Sequence, residues 1–235
     1  MLKAILFDLD GTLLPMDQDY FMKLYFGSLA KKVAPLNYDM DSFVDNVWAG
    51  TVAMVKNDGS RTNREAFWAR FSELCQKDCL KDEPVFDGYY SNEFSCAKAA
   101  CGYNPAVREL MEYIKAKGKT SVLATNPLFP AVATENRMSW AGLSPEDFTL
   151  YTTYENSSYC KPNPKYYEEI LEIIGAEPSE CVMVGNDATD DMSASTLGIK
   201  PFLLTDNLIN AKNVDISSYP QGGFKELLDY LNNLD

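Results

Sequence analysis

The stretch Lys-Ala-Ile-Leu-Phe-Asp-Leu-Asp-Gly-Thr-Leu-Leu at residues 3–14 decides how the rest of the chain is read. Its first part, KAILF at 3–7, is apolar without polar alternation, the pattern of a short strand covered on both faces. The run ends at Asp8, and Asp10-Gly11 follows two residues later. Strands buried on both faces belong to parallel sheets flanked by helices, and such sheets bind ligands beyond the carboxyl ends of their strands. Two carboxylates at that place are candidate functional groups. Asp-Gly is also an ordinary turn signal, so the pair needs support from elsewhere in the sequence.

Beyond the turn, residues 17–83 contain no convincing strand. Three amphipathic helices are expected, near 17–33, 39–56 and 63–77, with a loop signal, NDGS, at 57–60. Thr62 and Glu65 make a capping-box pattern ahead of Phe67, Trp68, Phe71 and Leu74, whose helical spacing reads as a core stripe. After about residue 85 the pattern changes to alternating strand and helix. Strands are expected at 120–124, 149–154, 181–184 and 201–205. Helices are expected from Asn104-Pro105 to Gly118, near 130–141, from Pro164 to Gly175, near 189–197 and at 223–233. Repeated β–α units of this kind give an α/β fold with a doubly wound parallel sheet. The expected organisation is a core of residues 1–15 and 89–235, with a smaller all-helical domain, 16–88, inserted after the first strand. A length of 235 residues suits one enlarged core with an insertion.

The composition removes whole classes of chemistry. The chain has no histidine, which excludes Ser-His-Asp and Cys-His nucleophile systems and every zinc site built on imidazole. There are 21 Lys and Arg against 34 Asp and Glu, for a net charge of −13, which argues against nucleic acid or an anionic membrane as a partner. Cys75, Cys79, Cys96, Cys101, Cys160 and Cys181 contain no C-x-x-C pair and read as reduced packing thiols. No apolar run approaches the ~20 residues that span a bilayer. Asp8 also comes too early for a signal h-region, so a cytoplasmic location is expected, with a monomer favoured.

The residues immediately beyond the expected strands form four polar clusters. After the first strand come Asp8, Asp10 and Thr12; after the second, Thr125 and Asn126; beyond the third, Lys161-Pro162; after the fourth, Gly185-Asn186-Asp187 with Asp190 and Asp191. Carboxylates, a hydroxyl and an ammonium at one sheet edge suit phosphoryl transfer. A carboxylate attacking a phosphate dianion meets a repulsion of roughly 4 kcal/mol per unit-charge pair at 4 Å and an effective dielectric of 20. Fixed positive charge and hydrogen-bond donors must offset it. Mg²⁺ between Asp8 and Asp187 and the Lys161 ammonium are candidates for that charge, since magnesium prefers oxygen ligands. Thr125 and the neighbouring Asn126 are candidates for holding the phosphoryl oxygens. Asp10 is placed to protonate the leaving oxygen and then deprotonate water. Each cluster has a plainer reading: Thr125-Asn126 as a helix cap, Lys161-Pro162 as a surface turn, GNDATDD as a capped helix start. Lys23, Arg61 and Arg64 in the helical insertion read as solvated charge.

Taken together, FDLDGTLL (7–14), TN (125–126), KP (161–162) and GNDATDD (185–191) resemble, in order, the four motifs of the haloacid dehalogenase-like (HAD) superfamily. The resemblance covers the sheet-forming parts and none of the helical insertion, which stands at the family's cap position. It implies a Rossmann-like core and a Mg²⁺-dependent phosphatase acting on a small phosphorylated metabolite through an aspartyl-phosphate. Asp8 would be the nucleophile and Asp10 the acid/base. Thr125, Asn126 and Lys161 would bind phosphate, while Asp8, Asp187 and the Asp10 backbone carbonyl would hold the metal. Asp191, or the adjacent Asp190, would be the supporting second acid of the last motif. A sugar phosphomutase uses the same nucleophile and a similar cap. A non-catalytic binding protein derived from the family is a further alternative. The carbon–halogen branch replaces the residue corresponding to Asp10 and is disfavoured.

Overall fold

The computed structural model describes residues 1–234. Its sheet is built from β1 (Ala4–Phe7), β2 (Thr120–Leu123), β3 (Leu150–Tyr151), β4 (Cys181–Gly185), β5 (Lys200–Leu204) and β6 (Gln221–Gly222), all pairs parallel, in the order 3-2-1-4-5-6. That order is doubly wound, with its reversal between β1 and β4. Successive residues of β1 enter opposite layers, as a pleated strand requires. Ile5 and Phe7 join the larger apolar cluster, whereas Ala4 and Leu6 join the cluster on the other face.

Between β1 and β2 the chain forms α1 (Gln18–Val33), α2 (Phe43–Val55), α3 (Asn63–Cys75) and α4 (Glu83–Ser91). The capping box at α3 is present: Glu65 N donates to Thr62 Oγ1 at 3.2 Å, and Thr62 N to Glu65 Oε2 at 2.8 Å. Phe67, Trp68 and Phe71 are buried in the larger cluster, while Leu74 is not among its members. α5 (Ala106–Ala116) and α8 (Phe224–Leu234) cover the same sheet face through Leu110, Ile114, Leu227 and Leu231. α6 (Ala131–Trp140) packs there through Ala133 and Met138, and α7 (Pro164–Ile174) covers the other face through Tyr166, Tyr167 and Ile170.

Several expected boundaries move, each for a local reason. The break expected between residues 88 and 89 lies inside α4, and 3-10 turns continue over Glu93–Ala100. Asp17 N bonds Ala100 O at 2.9 Å and Gly102 N bonds Pro15 O at 2.7 Å, so the two ends of the stretch between them lie side by side. The strand expected at 149–154 is only Leu150–Tyr151, because the Asn156 side chain takes the Thr153 N–H at 2.8 Å. The helix expected at 189–197 is reduced to 3-10 turns at Met192–Leu197. Asp187 Oδ1 accepts from Thr189 N at 2.7 Å and Asp190 N at 2.8 Å, competing with helical pairing. β6 is two residues long and leaves no pattern in the sequence. All six cysteines are unpaired thiols, and no helix among the described residues is long and apolar enough to cross a membrane.

Candidate active site

The sheet register assembles the site. Phe7 lies opposite Leu123 on one side and Val184 on the other, so the chain emerges from three adjacent strands at one level. Asp8 N then bonds Val184 O at 2.9 Å, and Ala124 N bonds Phe7 O at 2.7 Å, extending the ladder just far enough to fix Asp8 and Thr125. Asp8, Asp10, Thr125, Asn126, Lys161, Asp187, Asp190 and Asp191 line one cavity at this edge, next to the topological switch. Every residue singled out from the four motifs is brought together.

Asp8 is nearly buried, and its two oxygens face different partners. Oδ1 lies 3.0 Å from Lys161 Nζ, and Oδ2 lies 3.2 Å from Thr12 Oγ1. Thr12 Oγ1 is also 3.0 Å from Asn186 Oδ1, so its single proton serves one acceptor at a time. Gly11 makes the turn between them with φ +87°, and a Cβ there would overlap the Asn186 amide.

Lys161, with 1% of its side chain exposed, reaches the cavity from the loop before α7. Its second partner is Asp191 Oδ1 at 2.6 Å. Burial opposes the ammonium, but Asp191 and Asp8 outweigh it and hold its pKa well above the usual lysine range. Burial pushes the Asp191 carboxyl up, with Lys161 pulling against it. Asp191 Oδ2 accepts from Asp187 N at 2.9 Å, and a Cβ at Gly185 would overlap this carboxylate. Asp190 instead approaches Asn126 Nδ2 at 3.5 Å, so Asp191 is the acidic residue at the lysine.

Thr125 is held through its backbone. Its carbonyl accepts from the Thr152 hydroxyl at 2.6 Å and the Tyr166 hydroxyl at 2.8 Å. Asn126 Oδ1 accepts from Lys161 N at 3.2 Å, joining the second and third motifs.

Arg137 is the residue that sequence reasoning missed. It sits on α6 with 1% of its side chain exposed, pairs with Asp10 Oδ2, and stacks over Phe129 at 4.5 Å. Asp10 Oδ1 is buried without a partner. Burial raises the Asp10 pKa, and Arg137 acts in the opposite direction. A signal was present: Ala133, Arg137 and Trp140 share one face of α6, and all are buried. An arginine on a buried stripe requires an anionic partner. Of the insertion's own charges, Arg64 pairs with Glu83, and Lys23 and Arg61 are exposed. Asn57 and Asn63 are structural: Asn63, fully buried, donates to Tyr159 O at 3.2 Å and docks α3 on the core.

The donor set fits a magnesium ion. Among the described residues no three His, Cys, Asp or Glu side chains converge as a metal cage. Asp8 and Asp187 instead line the cavity with hard oxygens, and Asp10 lines it with them. Two carboxylates and a carbonyl leave room for water, which magnesium retains.

A haloacid dehalogenase-like hydrolase family model matches residues 2–198. The chain belongs to this family. It is 24% identical over 202 residues to the phosphoglycolate phosphatase of Aquifex aeolicus, covering 86% of this chain and 84% of that protein. Identity is also 24% over 222 residues with the glyceraldehyde 3-phosphate phosphatase of Methanothermobacter thermautotrophicus, covering 90% and 89%. Among solved structures, a 2-haloacid dehalogenase from Pseudomonas syringae pv. Tomato superposes with a TM-score of 0.64 at 20% identity, covering the whole of both chains. That likeness supports the HAD fold.

Proposed function

We propose that this HAD hydrolase cleaves a small phosphomonoester through an aspartyl-phosphate on Asp8. The observation that carries the reading is the buried triad Asp8–Lys161–Asp191, with Lys161 Nζ 3.0 Å from Asp8 and 2.6 Å from Asp191. An ammonium fixed against the attacking carboxylate offsets its repulsion from phosphate, and Asp191 holds that ammonium in place. Asp10, retained two residues beyond Asp8, favours phosphoryl over carbon–halogen chemistry.

In the first step an Asp8 oxygen bonds to phosphorus, the ester P–O bond breaks, and Asp10 gives its proton to the leaving oxygen. In the second, Asp10 takes a proton from water, the water oxygen bonds to phosphorus, and the Asp8–phosphorus bond breaks to release inorganic phosphate. Lys161, the Thr125 hydroxyl and Asn126 hold the phosphoryl oxygens. Asp8, Asp187 and the Asp10 carbonyl would hold Mg²⁺, whose charge lowers the cost of bringing anions together. The helical segment between Pro15 and Gly102 would act as a cap, hinging at its two hydrogen-bonded crossings and excluding water when closed. A cytoplasmic monomer is the expected form.

The test is a panel of phosphorylated metabolites with and without Mg²⁺, assayed for inorganic phosphate and for isomerised sugar phosphate. Metal-dependent phosphate release supports the reading. Isomerisation without release, or ligand binding without turnover, overturns it.

A further inference from the structure

A second cavity lies beside the catalytic one, between α1–α4 and the loop that follows β2. Its volume is about 130 Å³, close to the roughly 150 Å³ of an apolar cavity that takes up benzene. Leu128 and Phe129 line both cavities, so the two share a wall. Phe129 carries Arg137 on its ring, which places the shared wall next to Asp10.

The walls of this chamber are aromatic and aliphatic, including Tyr25, Leu29, Phe67, Trp68 and Tyr90, and no charged side chain lines it among the described residues. Most of its polar side-chain atoms are engaged with one another or with groups behind the wall. The Tyr25 and Tyr90 hydroxyls are 2.9 Å apart, and the Trp68 indole and Tyr154 hydroxyl both donate to Glu83, at 3.0 and 3.2 Å. The Thr51 hydroxyl donates to Val47 O at 3.1 Å.

We propose that this chamber receives the leaving group of the substrate, and that the leaving group is apolar, an alkyl or aryl chain. The inference rests on the phosphomonoester hydrolase reading and names the substrate class of the same site. A phosphorylated carboxylic acid fits poorly. Its second anion would enter walls that carry no cation, and Arg137, behind the shared Phe129, is already paired with Asp10. An alkyl chain displaces water from apolar walls and needs no partner.

The experiment is a series of linear alkyl phosphates from ethyl to octyl, with 2-phosphoglycolate as the anionic comparison. Linear alkanols beyond ethanol have nearly equal acidity, so the chemical step is held constant while apolar area grows. The expected result is a kcat/KM that rises about fourfold per methylene until the chamber is full, with 2-phosphoglycolate below hexyl phosphate. Thr51→Trp, which fills the chamber from α2, should flatten that slope. Calorimetry of hexylphosphonate against methylphosphonate, neither of which is cleaved, should show the same preference without turnover. Hydrolysis whose kcat/KM is flat or falls with chain length overturns the chamber assignment and leaves the hydrolase standing. A steep slope that Thr51→Trp does not change overturns it too. Absence of phosphate release from every ester overturns the underlying reading and this inference with it.

Discussion

The Arg137 guanidinium holds Asp10 from within the core: it pairs with Oδ2 while only 1% of the arginine side chain is exposed. Thr134 Oγ1 lies 3.3 Å from its Nη2, and Nε donates to Ala133 O at 3.3 Å, so the arginine is itself fixed to α6. Asp10 therefore has one oxygen anchored and the other buried without a partner, free to take a hydrogen bond that nothing in the protein supplies. Arg137→Gln should lower kcat for alkyl phosphates by about 10²-fold, with a smaller loss in the pre-steady-state release of nitrophenol, whose departure needs no proton. Arg137→Lys should recover part of the loss, since it keeps the charge and loses the planar fork. Equal losses for both leaving groups would show that the arginine does not act through proton transfer to the leaving oxygen.

Lys161 separates two buried carboxylates. Lys161→Met should abolish measurable turnover and destabilise the fold by about 3–5 kcal/mol, because Asp8 and Asp191 are left without their shared cation. For a chain of this size that corresponds to a melting-temperature decrease of roughly 10 °C. An unchanged melting temperature would mean that the pair contributes nothing to the folded state.

Gly185 is where β4 meets the Asp191 carboxylate, with no space for a methyl group. Gly185→Ala should therefore push Asp191 off Lys161 and reduce kcat by about tenfold or more, although the substituted residue touches no substrate. Full activity with unaltered stability would show that Asp191 has room to move without consequence.

Asp187 has two separable duties. Oδ1 caps the following turn by accepting from Thr189 N and Asp190 N, and its charge is assigned to the metal. Asp187→Asn keeps an oxygen acceptor for the cap and removes the charge. The Mg²⁺ concentration for half-maximal activity should rise about tenfold or more, with little change in the melting temperature of the metal-free protein. Exhaustive chelation of the natural protein should remove phosphate release altogether, and added Mg²⁺ should restore it.

Much of this site was legible because strand ends are local. Apolar runs that stop at Asp8, Thr125 and Gly185 place those residues at one edge as soon as the sheet is parallel, and the register then aligns them. The choice of Asp191 over Asp190 was not legible, since it depends on the 3-10 turn that Asp187 imposes. Arg137 was hidden because a charged residue in a helix usually faces water, and its partner lies 127 positions away. The second half of the helical segment was also hidden. α4 carries Glu83-Pro84 at its start, but Gly88 and Asn92 have the character of loop residues. The aromatic chamber arises where α1, α2 and α3 splay around Phe67 and Tyr25, a tertiary arrangement that no single stretch of sequence encodes.

The most direct test of the mechanism is a rapid acid quench of the enzyme turning over a ³²P-labelled phosphomonoester, followed by peptide mapping. Label should appear on the peptide containing Asp8, persist in acid, be released by hydroxylamine and be absent from Asp8→Asn. Turnover with no labelled protein at any time point, or label mapped to a residue other than Asp8, would contradict a covalent aspartyl-phosphate at this site.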